Sequence, residues 1–364
     1  PAMADYFSAS LPMVQMGLTT SMIGLALGQI FFGPLSDKYG RRPLLLVSML
    51  LFIVSTLFCL FAPDIYSFVT LRLIQGIAGA GGIVISRSVA IDKFSGKELA
   101  KMLAVIGAIN GVAPVAAPVI GGLLTGSVGW QGIFMILLFI GILLGIGCIR
   151  FKESLPAEKR SKTGVWATFR SFGIIVHNRR YMLYVFQLAF AQGILFAYIA
   201  SSPFIIQQHY GFSPFAFSIC FAVNAVAIGV AAVLSVKFRR TENGTLTGCV
   251  GMLVFAVLQM AAIYSGCGFW TYELLMFALL FMMGLTFTAS TTLAMDCERR
   301  YAGAASALLG ALCFASGGIV SPLVGLGDIL ISTGVTFVIC AVCSLLCALW
   351  AVKRTGPKVA LCRI

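Results

Sequence analysis

The chain contains eleven long runs of apolar residues, and these runs constrain its fold more than any other feature. Each is about twenty residues long, the length that an α-helix needs to cross a bilayer and about twice that of a membrane β-strand. The runs cover residues 13–35, 44–62, 67–90, 101–124, 130–149, 181–205, 214–235, 246–265, 271–294, 304–326 and 330–351. Charged residues make up 10% of the chain, against about a quarter in soluble domains, so the surface must face lipid. We therefore expect an all-α membrane protein with many spans.

The distribution of basic residues predicts which loops face the cytoplasm. If the segment SDKYGRR at 36–42 lies inside, alternation of the runs places 23 of the 25 Lys and Arg residues inside and the other two, Arg72 and Arg87, within one helix. The external turns hold acidic residues: Asp5, Asp64, Asp328 and, at a helix mouth, Glu273. This asymmetry follows the positive-inside rule. The net charge of +13 therefore indicates topology rather than nucleic-acid binding, and it places the C-terminus in the cytoplasm.

The topology and an internal repeat divide the chain into two halves. Because residue 1 is Pro and the first segment emerges outside, we expect a twelve-helix protein whose first helix is largely missing from this chain. The motif AID at 90–92 recurs as AMD at 294–296, and Pro118 recurs as Pro322, each 204 residues further along. Parallel repeats of six spans occur in one large class of transporters. The expected units are a six-helix bundle at 1–149, a basic cytoplasmic linker at 150–180, a second bundle at 181–352 and a cytoplasmic tail at 353–364.

The segment GPLSDKYGRRP at 33–43 resembles the signature loop between the second and third helices of the major facilitator superfamily. The resemblance implies that Gly33 allows close approach to a neighbouring helix and that Gly40 permits the tight turn. It also implies that Asp37 acts as a conformational latch against the start of the eleventh helix, near residues 302–305. Free N–H groups at a helix start favour a negative partner there.

Two basic residues complete the same loop. Arg41 and Arg42 are expected to anchor the third helix at the inner leaflet, through acidic residues and lipid headgroups. The alternative is that the loop is only a charged turn that sets topology.

The segment LRLIQGIAGA at 71–80 resembles the fourth-helix motif of the same family, whose arginine corresponds to Arg72. An arginine inside a span is unfavourable unless it is paired or faces water. Arg72 is therefore a candidate for proton coupling, and snorkelling of its side chain to the outer surface is the alternative.

The segment GVAPVAAPVIGG at 111–122 resembles the fifth-helix motif of antiporters, with Ala–Pro where Gly–Pro is usual. Pro114 and Pro118 each remove a backbone hydrogen bond and are expected to bend the helix. Gly121 and Gly122 are expected to let it pack tightly against a neighbour.

Four segments together resemble the Bcr/CflA group of bacterial multidrug efflux proteins: GQIFFGPLSDKYGRRPLLL, RSVAID, SSPFIIQQHYGFSP and GAASALLG. The resemblance implies a major facilitator fold of two six-helix bundles that exchanges protons for drugs across the bacterial inner membrane. It also implies a proton-carrying acid in the first helix, upstream of residue 1. The expected partners are a drug-like small molecule, protons and the lipid bilayer, and the protein is expected to be a monomer. No cofactor is expected, because the proton gradient drives such exchange.

We expect a substrate cavity with largely apolar walls between the two bundles, in which a few polar groups orient the substrate. The candidates are Gln15, Gln75, Asn110, Gln192, Tyr198 and Asn224. An interhelical hydrogen bond is the alternative role for each of them.

The nearest alternative function is import of a sugar or other metabolite together with protons by the same fold. Uptake symporters usually lack the Pro–Gly pattern that the fifth helix carries at 118–122. A receptor or a membrane enzyme would need a ligand domain or a catalytic cluster. The scattered cysteines and two histidines offer no metal-binding pattern, so the sequence favours a transporter that is neither.

Overall fold

The computed structural model of the chain is helical throughout the residues that it describes. These are residues 2–94, 96–160, 172–235, 238, 240–298 and 302–353. Within these ranges no strand is assigned, and ten helices are long and apolar enough to cross a membrane. The all-α membrane fold expected from the apolar runs is therefore confirmed.

The first half of the chain forms five helices. They are α1 Ala2–Tyr6, α2 Leu11–Tyr39, α3 Arg41–Leu60, α4 Ile65–Lys93 and α5 Gly96–Arg150. The last of these joins two of the expected spans, and the two arms meet at Gly129, whose φ of 65° and ψ of −175° are not helical.

The second half forms a matching set of helices after a 3-10 turn at Ala157–Lys159. A short helix, α6, is described over residues 172–177. The longer ones are α7 Arg179–Phe204, α8 Pro214–Ser235, α9 Thr241–Tyr264, α10 Phe269–Cys297, α11 Ala302–Leu323 and α12 Ile329–Lys353. Both α4 and α10 have 29 residues, and they begin 204 residues apart, the same offset as the matched sequence motifs. The expected domain boundaries remain a prediction.

Small residues bring the helices of the first half into close contact. The helix α2 packs against α4, and α3 packs against both α4 and α5. At the crossing of α2 and α4, a Cβ on Gly24 would collide with Leu73 O, and a Cβ on Gly76 would collide with Ser21 O. Such close backbone approach supplies packing energy where lipid provides no hydrophobic driving force between helices.

The two halves contact each other at both ends of the bundle. The pairs α2–α11 and α5–α8 pack across the boundary between halves. The end that carries the 36–42 loop is called the inner end below, and the opposite end the outer end. Gln15 Nε2 donates to Ala200 O of α7 at 3.5 Å at the outer end, and Arg87 Nη1 donates to Ser306 Oγ of α11 at 2.9 Å near the inner end.

Candidate functional site

Arg72 lies in the second turn of α4, about 10 Å along the helix from its outer end. Its Nη1 donates to Gln75 Oε1, and its Nε donates to Gly17 O of α2 at 3.4 Å. The guanidinium carbon lies 5.6 Å from the ring centroid of Phe134 in α5. Because Gln75 lies almost one turn deeper than Arg72, the guanidinium points toward the membrane centre. The structure therefore does not show the snorkelling that was the alternative for Arg72.

The described hydrogen-bond partners of the Arg72 guanidinium are neutral polar groups. Gln75 donates from Nε2 to Thr56 Oγ1 of α3 at 2.6 Å, and Thr56 donates to Phe52 O at 2.6 Å. The ion pairs among the described residues do not include Arg72. An arginine held in a span without a counter-ion has a high free energy. Its surroundings therefore favour the entry of a negative group.

A second polar cluster joins α7, α8 and α10 near the outer end. Asn224 Nδ2 donates to Tyr198 OH at 2.9 Å and to Glu273 Oε1 at 2.7 Å. Tyr198 stacks on Phe221, with the ring centroids 5.0 Å apart. The structure thus brings together two of the residues that the sequence singled out, and it adds Glu273 to them.

The sequence analysis placed Glu273 at a helix mouth and assigned it no role. Glu273 lies four residues after the start of α10, so its position in the chain resembles that of a residue in an external turn. The repeat is the sequence feature that could have drawn attention to Glu273. Glu273 lies 204 residues after Val69, which precedes Arg72 by almost one turn on the matching helix, so the two ionisable residues have similar positions in their halves.

Gln15 lies between helices of the two halves. Gln15 is 5% exposed, its Nε2 donates to Ala200 O, and its side-chain amide lies against Gly325, just after α11. The interhelical alternative applies to this residue, and also to Gln75 through its bond to Thr56.

The remaining cavity candidates are less constrained. Gln192 is partly exposed near the middle of α7. The side chain of Asn110 lies outside the described residues. Gln29, which the sequence analysis did not single out, is 1% exposed in α2 and packs against Gly310 of α11.

The loop at 36–42 forms an ionic cluster with α4 at the inner end. Arg41 Nη1 lies 2.5 Å from Asp37 Oδ1, and its Nε lies 2.9 Å from Asp92 Oδ2. Its Nη1 also donates to Ser36 Oγ at 2.7 Å. The Arg41 side chain is 7% exposed, so it does not reach lipid headgroups, and the expected role in headgroup binding is wrong for this residue. Arg41 instead ties α2 and α3 to α4.

Glu153, three residues after α5, caps the N-terminus of α3. Its Oε1 accepts from Arg41 N at 3.0 Å, and its Oε2 accepts from Arg42 N at 3.2 Å. Gly40 has a φ of 103°, and a Cβ there would lie 2.5 Å from Glu153 Oε2, so the turn and the carboxylate both require glycine. Arg42 is exposed and donates from Nη2 to Ile149 O at 2.9 Å.

Asp37 in the loop and Gly33 just before it were both assigned roles from the family resemblance. The Asp37 side chain is 45% exposed and pairs with Arg41, and its latch against residues 302–305 remains a prediction. Gly33 is not a point of close approach, because a Cβ there would lie 3.6 Å from Val84 Cγ1, an ordinary contact distance. The close approach of α2 to α4 occurs at Gly24 instead.

The kink expected in α5 rests on residues whose side chains lie outside those that the structure describes: Pro114, Pro118 and Gly122. A Cβ on Gly121 would meet no described atom within 4 Å, and the tight packing expected at Gly121 and Gly122 stays a prediction.

Comparisons with known proteins identify the family. A family model described as Major Facilitator Superfamily matches residues 1–322. The chain belongs to the major facilitator superfamily. An uncharacterized MFS-type transporter of Bacillus subtilis (strain 168), YdgK, is 38% identical over 335 residues, which cover 90% of this chain and 83% of YdgK.

Other members of the superfamily with named activities are more distant. A bicyclomycin resistance protein homolog of Haemophilus influenzae is 28% identical over 319 residues, covering 85% of this chain and 79% of that protein. A chloramphenicol resistance protein of Pseudomonas aeruginosa is 25% identical over 282 residues, covering 74% and 65%.

Solved structures of the superfamily share the fold. The xylose transporter XylE from E. coli aligns with a TM-score of 0.73 at 15% identity, covering 95% of this chain and 88% of XylE. A bacterial homolog of the human lysosomal transporter Spinster aligns with a TM-score of 0.75 at 18% identity, covering 96% and 92%. This major facilitator protein is accordingly a membrane transporter and not an enzyme.

Proposed function

We propose that the protein exports small amphipathic compounds across the bacterial inner membrane in exchange for protons, by alternating access. The similarity to bicyclomycin and chloramphenicol resistance proteins supports export of drug-like molecules, as does the sequence resemblance to the Bcr/CflA group. The inner end with its basic loop and the C-terminus face the cytoplasm. The proton gradient is the energy source, no cofactor is used, and a monomer in the lipid bilayer is the working unit.

The Arg72 site is the observation that carries this proposal. A cation whose described partners are Gln75 and Gly17 stabilises an ionised acid or an anionic group that comes close to it. Protonation of that acid removes the attraction, so the charge of Arg72 couples proton binding to the arrangement of the helices. Substrate binding between the halves draws on apolar contact, at about 25 cal/mol per Å² buried.

Alternating access requires that the contacts at the two ends open in turn. The Gln15–Ala200 bond joins the halves at the outer end, and the Arg87–Ser306 bond joins them near the inner end. Opening to the outside breaks the first, and opening to the cytoplasm breaks the second.

The proposal is tested by a substrate-panel efflux assay in cells that lack their own drug pumps. We expect lower accumulation of at least one amphipathic drug, and loss of that effect when an uncoupler collapses the proton gradient. Arg72→Ala removes the effect, whereas Arg150→Ala, a change at an exposed arginine of α5, retains it. Export that is insensitive to the uncoupler overturns the coupling, and proton-driven accumulation of a metabolite favours the importer.

A further inference from the structure

Glu273 places a carboxylate in a membrane-spanning helix, and one of its two oxygens has no hydrogen-bond partner among the described residues. Its Oε1 accepts from Asn224 Nδ2 at 2.7 Å. Its Oε2 is buried, and no described residue donates to it. An ionised carboxylate normally accepts several hydrogen bonds on both oxygens, so this environment is a poor one for the charged form.

The described groups that surround Glu273 carry no positive charge. Tyr198 faces it from α7, the thiol of Cys220 from α8, and Tyr272 from its own helix. Tyr210, beyond the end of α7, packs against Tyr272 with ring centroids 5.7 Å apart. The ion pairs of the described residues do not include Glu273. An isolated carboxylate in such apolar surroundings is favoured in its neutral form.

The local hydrogen-bond inventory also fits a neutral acid. Asn224 uses its amide nitrogen for Tyr198 and Glu273, while its Oδ1 is buried without a partner among the described residues. The hydroxyl of Tyr272 is likewise buried and unpartnered there. A protonated Glu273 adds one O–H donor to a cluster in which Asn224 Oδ1 is a buried acceptor without a described donor.

We propose that Glu273 is a proton-binding site of the second half, held by Asn224, and that it gains and loses one proton in each transport cycle. The inference rests on the proposed proton-coupled function for its place in the cycle, but not for proton binding itself. A hydronium ion in the water that reaches the outer end transfers a proton to Oε2: one O–H bond of hydronium breaks, the O–H bond of the neutral acid forms, and a water molecule is left. In the reverse step the acid O–H bond breaks, the proton passes to water to form hydronium, and the carboxylate is restored.

Infrared difference spectroscopy on the full-length protein in lipid nanodiscs tests proton binding directly. We expect a carbonyl stretch of a protonated carboxyl group at neutral pH that disappears on titration to alkaline pH. Glu273→Gln removes this band, and Glu273→Asp retains one. The matched control is Asp328→Asn, because Asp328 is an exposed acid at the same end whose Oδ1 accepts from Leu330 N at 2.8 Å.

Asn224→Leu separates a proton-binding site from a merely structural glutamate. Removal of the amide leaves Glu273 in place and takes away the donor to its Oε1. We expect the carbonyl band to shift in frequency and its titration to move to higher pH, since the ionised form loses its hydrogen bond. A wild-type spectrum without a Glu273-dependent band, or a band unaffected by Asn224→Leu, overturns the inference.

Transport measurements distinguish failure of this inference from failure of the proposed function. If wild-type export depends on the proton gradient but no Glu273-dependent band exists and Glu273→Gln exports normally, the site is wrong and proton-coupled export stands. If the band titrates as expected but transport ignores the proton gradient, Glu273 binds protons and the proposed coupling is wrong.

Discussion

The matching helices α4 and α10 differ in the charge that each carries near its outer end. In α4 the ionisable group is Arg72, which donates to Gln75 and to Gly17 O. In α10 it is Glu273, which accepts from Asn224. Both groups have neutral hydrogen-bond partners on other turns or helices. The two helices therefore each hold an ionisable group within one turn of the same position in the repeat, and the two groups differ in sign.

The inner end shows the same contrast. In the first half Arg41 joins Asp37 and Asp92 through charge. Thr245, which follows Arg41 by the repeat offset of 204 residues, shares a hydroxyl contact of 3.1 Å with Ser290 instead. At this position the first half therefore has a cluster of ion pairs, whereas the described contact of Thr245 joins two neutral hydroxyl groups.

In the proposed proton-coupled export, this difference would give the two halves different parts. The guanidinium of Arg72 stays charged at any physiological pH, so the N-terminal half carries a permanent positive charge. The carboxylate of Glu273 can bind a proton and lose its charge, so the charge in the C-terminal half can change. If both halves carried the same kind of group, both charges would be permanent or both could change.

Replacing Arg72, the permanent charge of α4, should have the largest effect. We expect Arg72→Ala to reduce export to the background of cells without the protein, while the protein remains in the membrane. Arg72→Lys should also fail, because an ammonium cannot reproduce the planar contacts to Gln75 and Gly17. Efflux and membrane abundance are measured together. Normal export by Arg72→Ala would show that Arg72 takes no part in the proton coupling. Of the two groups compared, only Glu273 would then remain as a candidate.

Parts of this comparison could be predicted from the sequence alone. The apolar runs predicted the helices, and the offset of 204 residues between the two Asp motifs predicted that α4 and α10 correspond. The φ of 103° at Gly40 agrees with the tight turn expected from the loop motif. These features depend on local composition and spacing, which a sequence displays directly.

Other parts depend on contacts that a sequence does not display. Glu153 lies more than 110 residues after Arg41 and Arg42, yet it binds the N–H groups of both. Glu273 lies in the first turns of a helix, where exposure and burial have the same sequence pattern, and only packing against α7 and α8 distinguishes them. The Asp92 partner of Arg41 was present in a motif that indicated the repeat and the family resemblance, but nothing in that motif predicted the ion pair.

We expect a smaller effect from removing the side-chain amide of Gln75, which accepts a hydrogen bond from Arg72. Gln75→Leu deletes an acceptor of a charged donor, which should lower the free energy of unfolding by about 1.5–3 kcal/mol and reduce export partially. Gln259→Leu is the matched control, because Gln259 is buried in α9 with both amide atoms unpartnered among the described residues. Thermal unfolding in detergent compares the two. Equal destabilisation would mean that Gln75 is only a packing residue.

The ionic cluster at the inner end can be tested as a latch. Asp37→Asn should weaken the state with a closed inner gate by roughly 1–2 kcal/mol, the upper range for a charge at a helix terminus. That shifts the population toward the inward-facing state about 5- to 30-fold. Spin-label distances across the inner end measure the shift, and transport falls while drug binding from the inside persists.

Asp92→Asn is the control for the latch, because it removes another partner of Arg41 without changing the residue predicted to face residues 302–305. A shift with Asp37→Asn alone supports a latch between the halves. Equal shifts with both variants would instead assign the effect to the cluster inside the first half, and unchanged distances would leave the loop as a topology anchor.

The smallest effect should come from the cap that Glu153 places on α3. Burial by itself raises the pKa of the Glu153 carboxyl, but N–H donors from Leu155, Arg41, Arg42 and Ser154 together hold the pKa below its ordinary value of 4.5. The carboxylate is therefore stabilised in the folded state. Because its pKa is lowered on folding, this stabilisation is present above about pH 4.5 and is lost as the pH falls below it.

Glu153→Gln tests the cap and its pH dependence together. At neutral pH the variant should be less stable by about 1 kcal/mol or less, because the carboxylate is partly exposed and solvent screens it. The difference should shrink as the pH falls below about 4.5, since wild-type Glu153 then becomes neutral as well. Glu158→Gln, a change at an exposed acid in the neighbouring turn, is the control and should show neither effect. A difference that stays constant between pH 7 and pH 4 would mean that Glu153 acts through shape and not charge.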